Sequence, residues 1–261
     1  MSKIFKTFTA AALMAAGLIT ANPAIAQDSD AQLSVLHGIP GLTVDVYVNG
    51  ALTLNDFTPG TLAGPLSLSA GTYSVAITAS DADDDSNPIL GPIDLPLQAG
   101  MDYTAAAYLD ATGNPTAALF NNDTAAAGAG EGKLTVRHIA ANAEGVEVVA
   151  NGSISLGTFN NGGELGPFAL PADTYSAAIL AGSTTVPPTP VDVPVTKGEN
   201  IIVYAWGDAA GGSVNLALQT VALEASAMAG NVSIPTLGNI GFIMLIILLI
   251  GLGIPSLRRF T

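Results

Sequence analysis

Val44-Asp45-Val46-Tyr47-Val48-Asn49-Gly50-Ala51-Leu52-Thr53-Leu54 decides the fold. Valine at every second position puts one face against a core. Asp45 and Tyr47, between the valines, give a second, partly wet face, which is the period of two of a β-strand. Asn49-Gly50 follows at once, and Leu52 and Leu54 resume the alternation. A tight type I′ hairpin needs positive φ angles at its two central residues, and Asn-Gly supplies them at little steric cost. The stretch predicts a β-hairpin.

Working outward, the same hairpin is written twice. Val146-Glu147-Val148, Asn151-Gly152 and Ile154-Ser155-Leu156 repeat it 102 residues later. At the same offset Phe57 answers Phe159, Gly64-Pro65 answers Gly166-Pro167, and Thr72-Tyr73 answers Thr174-Tyr175. Upstream, Leu33-Ser34-Val35-Leu36-His37 answers Leu134-Thr135-Val136-Arg137-His138. Downstream the offset falls to 98, where Pro92-Ile93-Asp94-Leu95-Pro96 matches Pro190-Val191-Asp192-Val193-Pro194 and Tyr108 matches Trp206. Matches in this order, with loop-sized gaps, indicate an internal duplication. The period is too long for a solenoid unit, so each copy is expected to be a whole domain.

Tyr73-Ser74-Val75-Ala76-Ile77 and Tyr175-Ser176-Ala177-Ala178-Ile179 read as a further strand in each copy. The segments holding Ile93, Leu95 and Leu97, or Val191, Val193 and Val195, carry proline on the opposite parity. Proline lacks the donor of a central strand, so these are expected at sheet edges. Roughly seven short strands per copy suggest a sandwich. The expected fold class is all-β, with two tandem Ig-like or transthyretin-like β-sandwich domains at 33–123 and 133–223. A small-residue linker is expected at 124–132, containing Ala125-Ala126-Ala127-Gly128-Ala129-Gly130, and a spacer at 224–233.

The two ends read as addresses. Lys3 and Lys6 precede an apolar stretch from Phe8 to Thr20, and Ala24-Ile25-Ala26 is a small-residue cleavage site. Residues 1–26 are therefore expected to be a signal peptide, its helix removed by signal peptidase after Ala26. At the other end, residues 237–257 carry no charge and are long enough to cross a ~30 Å hydrocarbon core as one helix. Arg258 and Arg259 would stay on the cytoplasmic side, leaving the body outside.

Between the ends, only Lys133, Arg137 and Lys197 offset the 21 carboxylates, so the stretch from Asp28 to Glu224 carries a formal charge of −18. Such a surface repels nucleic-acid backbones, and a nucleic-acid partner is not expected. Cysteine is absent, which excludes disulfides, thiol catalysis and thiolate metal sites.

Candidate sites are few. Asp81, Asp83 and Asp85 have the one-three-five spacing with which a loop wraps oxygens around calcium, although Ser86 and Pro92 stand where such loops place Gly and Glu. A solvated acidic loop is the competing reading. His37 and His138, the two histidines, hold equivalent places, and each is expected to make a local hydrogen bond at a strand end. Tyr108 and Trp206 are the candidates for a carbohydrate-stacking surface; the alternative is packing in each domain's own core. No Gly-x-Ser-x-Gly elbow, Ser-x-x-Lys pair, His-Glu-x-x-His or phosphate-cradling loop occurs, and no catalytic residue is assigned.

Two resemblances follow from these residues. The order of Asn-Gly hairpin, Gly-Pro turn, Thr-Tyr strand and proline-flanked edge strand resembles the bacterial domain of unknown function 4397. That resemblance implies exported, often duplicated β-rich domains with no established activity. The set Ile234-Pro235-Thr236-Leu237, Gly241, apolar span and Arg258-Arg259 resembles the IPTL-type C-terminal sorting domain of Gram-negative bacteria, at 234–261; Ile240 stands where that family usually carries Trp. It implies recognition by an exosortase-type protease that cuts near the motif and passes the body to the envelope. The expected protein is a non-catalytic envelope or matrix component, first held at the inner membrane with its body in the periplasm, then moved to the surface or matrix. A carbohydrate-binding module for exopolysaccharide or envelope glycans is the alternative, and a polysaccharide hydrolase the third reading.

Overall fold

The computed structural model describes residues 30–143, 145–181, 184–185 and 190–225. The signal peptide with Ala24 and Ala26, the sorting motif, Arg258-Arg259 and the 237–257 span lie outside the described residues. Within them the chain is all-β, and no helix is long and apolar enough to cross a membrane.

The first half forms eight strands: β1 (Ala31–His37), β2 (Val44–Val48), β3 (Ala51–Phe57), β4 (Leu62–Leu68), β5 (Gly71–Ala79), β6 (Leu90–Leu97), β7 (Asp102–Leu109) and β8 (Pro115–Asn122). They make two four-stranded sheets, ordered β4-β1-β7-β8 and β3-β2-β5-β6. The second half continues with β9 (Glu131–Ala141), β10 (Val146–Ala150), β11 (Ile154–Phe159), β12 (Gly163–Pro171), β13 (Asp173–Ala181), β14 (Thr184–Thr185), β15 (Val191–Val195), β16 (Glu199–Asp208) and β17 (Asn215–Ala222). Its sheets are ordered β12-β9-β16-β17 and β11-β10-β13-β14, with β15 also paired to β13. Apart from the two-residue β14, the second strand order repeats the first. Both halves even share one parallel contact, β1 with β7 and β9 with β16, in otherwise antiparallel sheets.

Local chemistry explains the pattern. Asn49 and Gly50, with φ of 51° and 77°, close the β2–β3 hairpin; Asn151 and Gly152, at 50° and 73°, do the same for β10–β11. Asparagine has a second duty in both. Asn49 Oδ1 accepts a hydrogen bond from the Ser74 N–H at 2.9 Å, and Asn151 Oδ1 accepts one from Ser176 at 3.1 Å, tying each turn to the neighbouring strand. The proline-bearing strands β6 and β15 each pair on one side only, where a missing N–H costs no ladder bond.

Three Gly-Pro steps sit inside strands rather than at turns. Gly64-Pro65 in β4, Gly91-Pro92 in β6 and Gly166-Pro167 in β12 each oppose a single residue of the paired strand, so each makes a β-bulge. Their glycines have φ of 104°, 102° and 104°. Each presses so close that an added Cβ would lie 2.5–2.7 Å from a carbonyl oxygen of the neighbouring strand. Asp45, expected on the wet face, is buried: its Oδ1 accepts the N–H of Asp56, which has a φ of 52°, at 2.7 Å.

Candidate functional site

Three places could hold chemistry: a seam between the two halves, a cavity inside the first, and the acidic loop. The seam arises because two sheets are apolar on both faces. In β16, Ile201, Val203 and Ala205 face the second half's own core, whereas Ile202, Tyr204 and Trp206 belong to a cluster that also holds Leu36, Ala106 and Tyr108 of the first half. Two-sided burial makes a strand read as a continuous apolar run rather than an alternation, as Ile201–Trp206 does.

The seam is reciprocal. Trp206 lies against Gly60, where a Cβ would meet its ring at 2.5 Å, and Tyr108 lies against the equivalent Gly162, where a Cβ would meet its hydroxyl at 3.0 Å. Tyr108 and Trp206 retain only 7% and 9% of their exposure. They are thus neither a displayed sugar platform nor part of separate domain cores. Their faces are spent on joining the two halves.

Polar groups cross the same seam. Arg137, with 1% side-chain exposure, donates from Nε to Glu164 at 2.6 Å and from Nη1 to Asn122 Oδ1 and the Tyr204 hydroxyl, both at 2.7 Å. Its Nη2 donates to the Asn121 carbonyl at 3.2 Å, and the guanidinium sits 4.5 Å from the centre of the Phe120 ring. Gln219 bridges as well, donating to Ser34 Oγ at 3.1 Å and accepting from Thr104 at 2.9 Å and Tyr204 at 2.6 Å. In the sequence Arg137 stands out as part of a repeat match and as one of the three cations of the acidic body. The signal available is that its equivalent in the first copy is Leu36.

The linker is held too. Lys133 Nζ pairs with Asp123 at 2.8 Å and donates to the Ala125 carbonyl at 2.7 Å, so this stretch starts pinned to the second half.

The cavity lies between the sheets of the first half and measures about 220 Å³. Leu33, Val46, Val75 and Ile77 line it, and Thr53 and the part-exposed Leu66 mark an edge that opens to solvent. Ala105 and Ala117, on β7 and β8, leave the room. By strand register their counterparts in the second half are Val203 and Leu216.

The acidic loop does not close around a common centre. Among the described residues, no three acidic or histidine side chains are grouped so as to hold a metal. Asp81 and Asp83 are exposed and Asp85 is half-buried. Asp84 turns back to accept the Ser86 N–H at 3.0 Å, which with the Ser86 side chain holds its carboxyl below the usual carboxylate range. Asp85 lies toward the Asn49–Gly50 hairpin instead of toward a shared centre.

The histidines are strand-end ties. His37 Nε2 donates to the Leu42 carbonyl at 2.7 Å, and His138 Nε2 donates to the Ala143 carbonyl. A carbonyl can only accept, so Nε2 carries the proton in both rings. The His37 ring stacks on Phe57 at 5.8 Å, and His138 meets the equivalent Phe159 edge-on at 5.6 Å. Burial pushes both rings below the ordinary histidine pKa of 6.5, against the raising effect of the carbonyl bond. The unfolded chain then takes up protons that the folded chain refuses. Stability is full above pH 6.5 and falls as pH drops through 6.5 toward the lowered values. Each tenfold loss of proton affinity on folding is worth about 1.4 kcal/mol per histidine. Urea denaturation between pH 7 and 5 is expected to show this slope, and His37→Asn/His138→Asn is expected to flatten it. Asp102, whose carboxyl burial raises, contributes with the opposite sign. The double variant leaves Asp102 in place and so isolates the histidine share. A double variant with the parent slope would refute the assignment.

No curated protein matches the chain. Family comparison matches residues 31–149, which take in the whole first sandwich and run into β10 of the second half. At those residues the chain carries the domain of unknown function DUF4397.

Proposed function

We propose that this chain is an exported, non-catalytic component of a Gram-negative cell envelope or extracellular matrix. It is built from two copies of the DUF4397-type sandwich and carried through the inner membrane on a removable sorting tail. The observation that supports a scaffold role is the seam. Reciprocal ring-on-glycine contacts and the buried Arg137 and Gln219 bonds couple the halves into one stiff body. A displayed matrix component gains from such coupling, because local opening of one half would have to break buried contacts of the other.

Export and tail processing rest on the signal peptide at 1–26 and the motif at 234–261. Fractionation of cells producing the full chain, with mass spectrometry of both mature ends, tests the reading. A surface or matrix form starting at Gln27 and ending near the 234–241 motif is expected. A surface form that keeps Thr261 would refute processing, and a body that stays in the inner membrane would refute the destination.

A further inference from the structure

We propose that the cavity of the first sandwich is a binding site for a neutral guest with an alkyl chain. Three observations carry it, and none depends on the envelope role. First, the space persists although the two halves fill their cores differently. Where the second half places Val203 and Leu216 the first places Ala105 and Ala117, both on one sheet. The facing sheet offsets this with Val48, Val75, Ile93 and Leu95 against Ala150, Ala177, Val191 and Val193, and about 220 Å³ still stays open. Natural interiors are packed to crystal density, so an unfilled volume is costly unless something uses it.

Second, size and lining select the guest. An apolar cavity of about 150 Å³ stays dry and takes up benzene. The space here is about 220 Å³, which suits a somewhat larger molecule. Its walls are Leu, Val, Ile and Ala side chains with Tyr73, whose hydroxyl is spent on the Ser69 carbonyl at 2.8 Å, and with Thr53 at the rim; no buried charge or amide is present in the lining to grip a sugar hydroxyl. Hydrocarbon therefore fits, and a saccharide does not.

Third, the opening lies at the free edge beside β3 and β4, where Leu66 is 37% exposed. The cavity opens in a body whose formal charge is −18, although Asp30, bonded to Ser67 at 3.0 Å, lies on the opposite face of β4 from Leu66 and Leu68. An anionic head would be repelled by so acidic a body, so the guest's polar end is uncharged. Octanol is the natural probe and octanoate its charged counterpart.

The chain has no cysteine, so one introduced thiol reports alone. The test uses the full chain in lipid nanodiscs carrying Ala117→Cys, labelled with methyl methanethiosulfonate. At about ten times its dissociation constant, a one-site guest leaves roughly a tenth of the sites free and slows labelling about tenfold. Octanol is expected to do this at Ala117→Cys and not at Ser153→Cys on the second hairpin, with octanoate weaker. A second measurement guards against a damaged reporter. Octanol is expected to raise the melting temperature of the parent, and Ala105→Val/Ala117→Leu, which copies the second half, is expected to remove that rise while melting no lower. Unslowed labelling of a folded Ala117→Cys chain overturns the proposal. So does an undiminished octanol effect in the filled variant.

Discussion

Gly166→Ala is expected to destabilise the chain by about 3–4 kcal/mol, and Gly64→Ala by a similar amount. Two independent costs add. Gly166 has a φ of 104°, outside the regions open to residues with a Cβ, which costs of order 1–3 kcal/mol. The new methyl would also lie 2.6 Å from the Leu134 carbonyl oxygen, in the strand that β12 must pair with. Relief requires β9 and β12 to separate, and β9 is packed on both faces. Gly113→Ala separates the two terms. Its φ is 88° and nothing lies within 4 Å of the added Cβ, so only conformational strain of about 1–2 kcal/mol remains. Guanidinium denaturation of the three variants checks this. Equal losses at Gly113 and Gly166 would show that the carbonyl contact contributes nothing.

These glycines also show how far the sequence can be read. Gly-Pro reads as a turn because both residues punctuate chains, and the two-against-one register that makes a bulge depends on a partner strand elsewhere. The Asn-Gly hairpins, the duplicated strand order and the edge placement of the proline strands are legible because each rests on local backbone chemistry. The second duty of Asn49 and Asn151, toward Ser74 and Ser176, is not, since it needs the third strand in place. Tyr108 and Trp206 stand out in the sequence as equivalent, with a displayed surface and separate domain cores as the two readings. The seam is a third. Its signal is Ile201–Trp206, an unbroken apolar run whose outward face needs a cover. Such a run announces two-sided burial but does not name the covering element. The cavity is hidden for a related reason. Ala117 and Leu216 become comparable only after β8 and β17 are aligned on their neighbours.

Arg137 gives the second large effect, since it joins both halves of the chain at one buried atom group. Arg137→Ala is expected to cost about 3 kcal/mol, the lower end for breaking a buried ion pair, because Glu164 keeps 32% of its side-chain exposure and can recover water. Asn122 and Tyr204 cannot recover it so easily: Tyr204 keeps Gln219 and Asn122 keeps Asp102 and Thr104, but each loses a charged donor that no water replaces. Arg137→Met keeps the stem against Phe120 and is expected to lose less than Arg137→Ala. Arg137→Lys retains a charge yet loses the planar fork that reaches Glu164, Asn122 and Asn121 together. The decisive measurement is a double-mutant cycle with Asn122→Ala, whose side chain lies across the seam in β8. A coupling of about 1 kcal/mol or more is expected from chemical denaturation. If the two losses instead add to within about 0.5 kcal/mol, the polar bonds do not join the halves, and the seam is held by its apolar rings alone. Leu36 at the equivalent place explains why the coupling runs one way. The first half contributes the Asn122 amide and the Phe120 ring to this spot, the second contributes the cation and the phenol, and neither surface is complementary to itself there. The two halves thus meet through a polar contact to which each brings different groups.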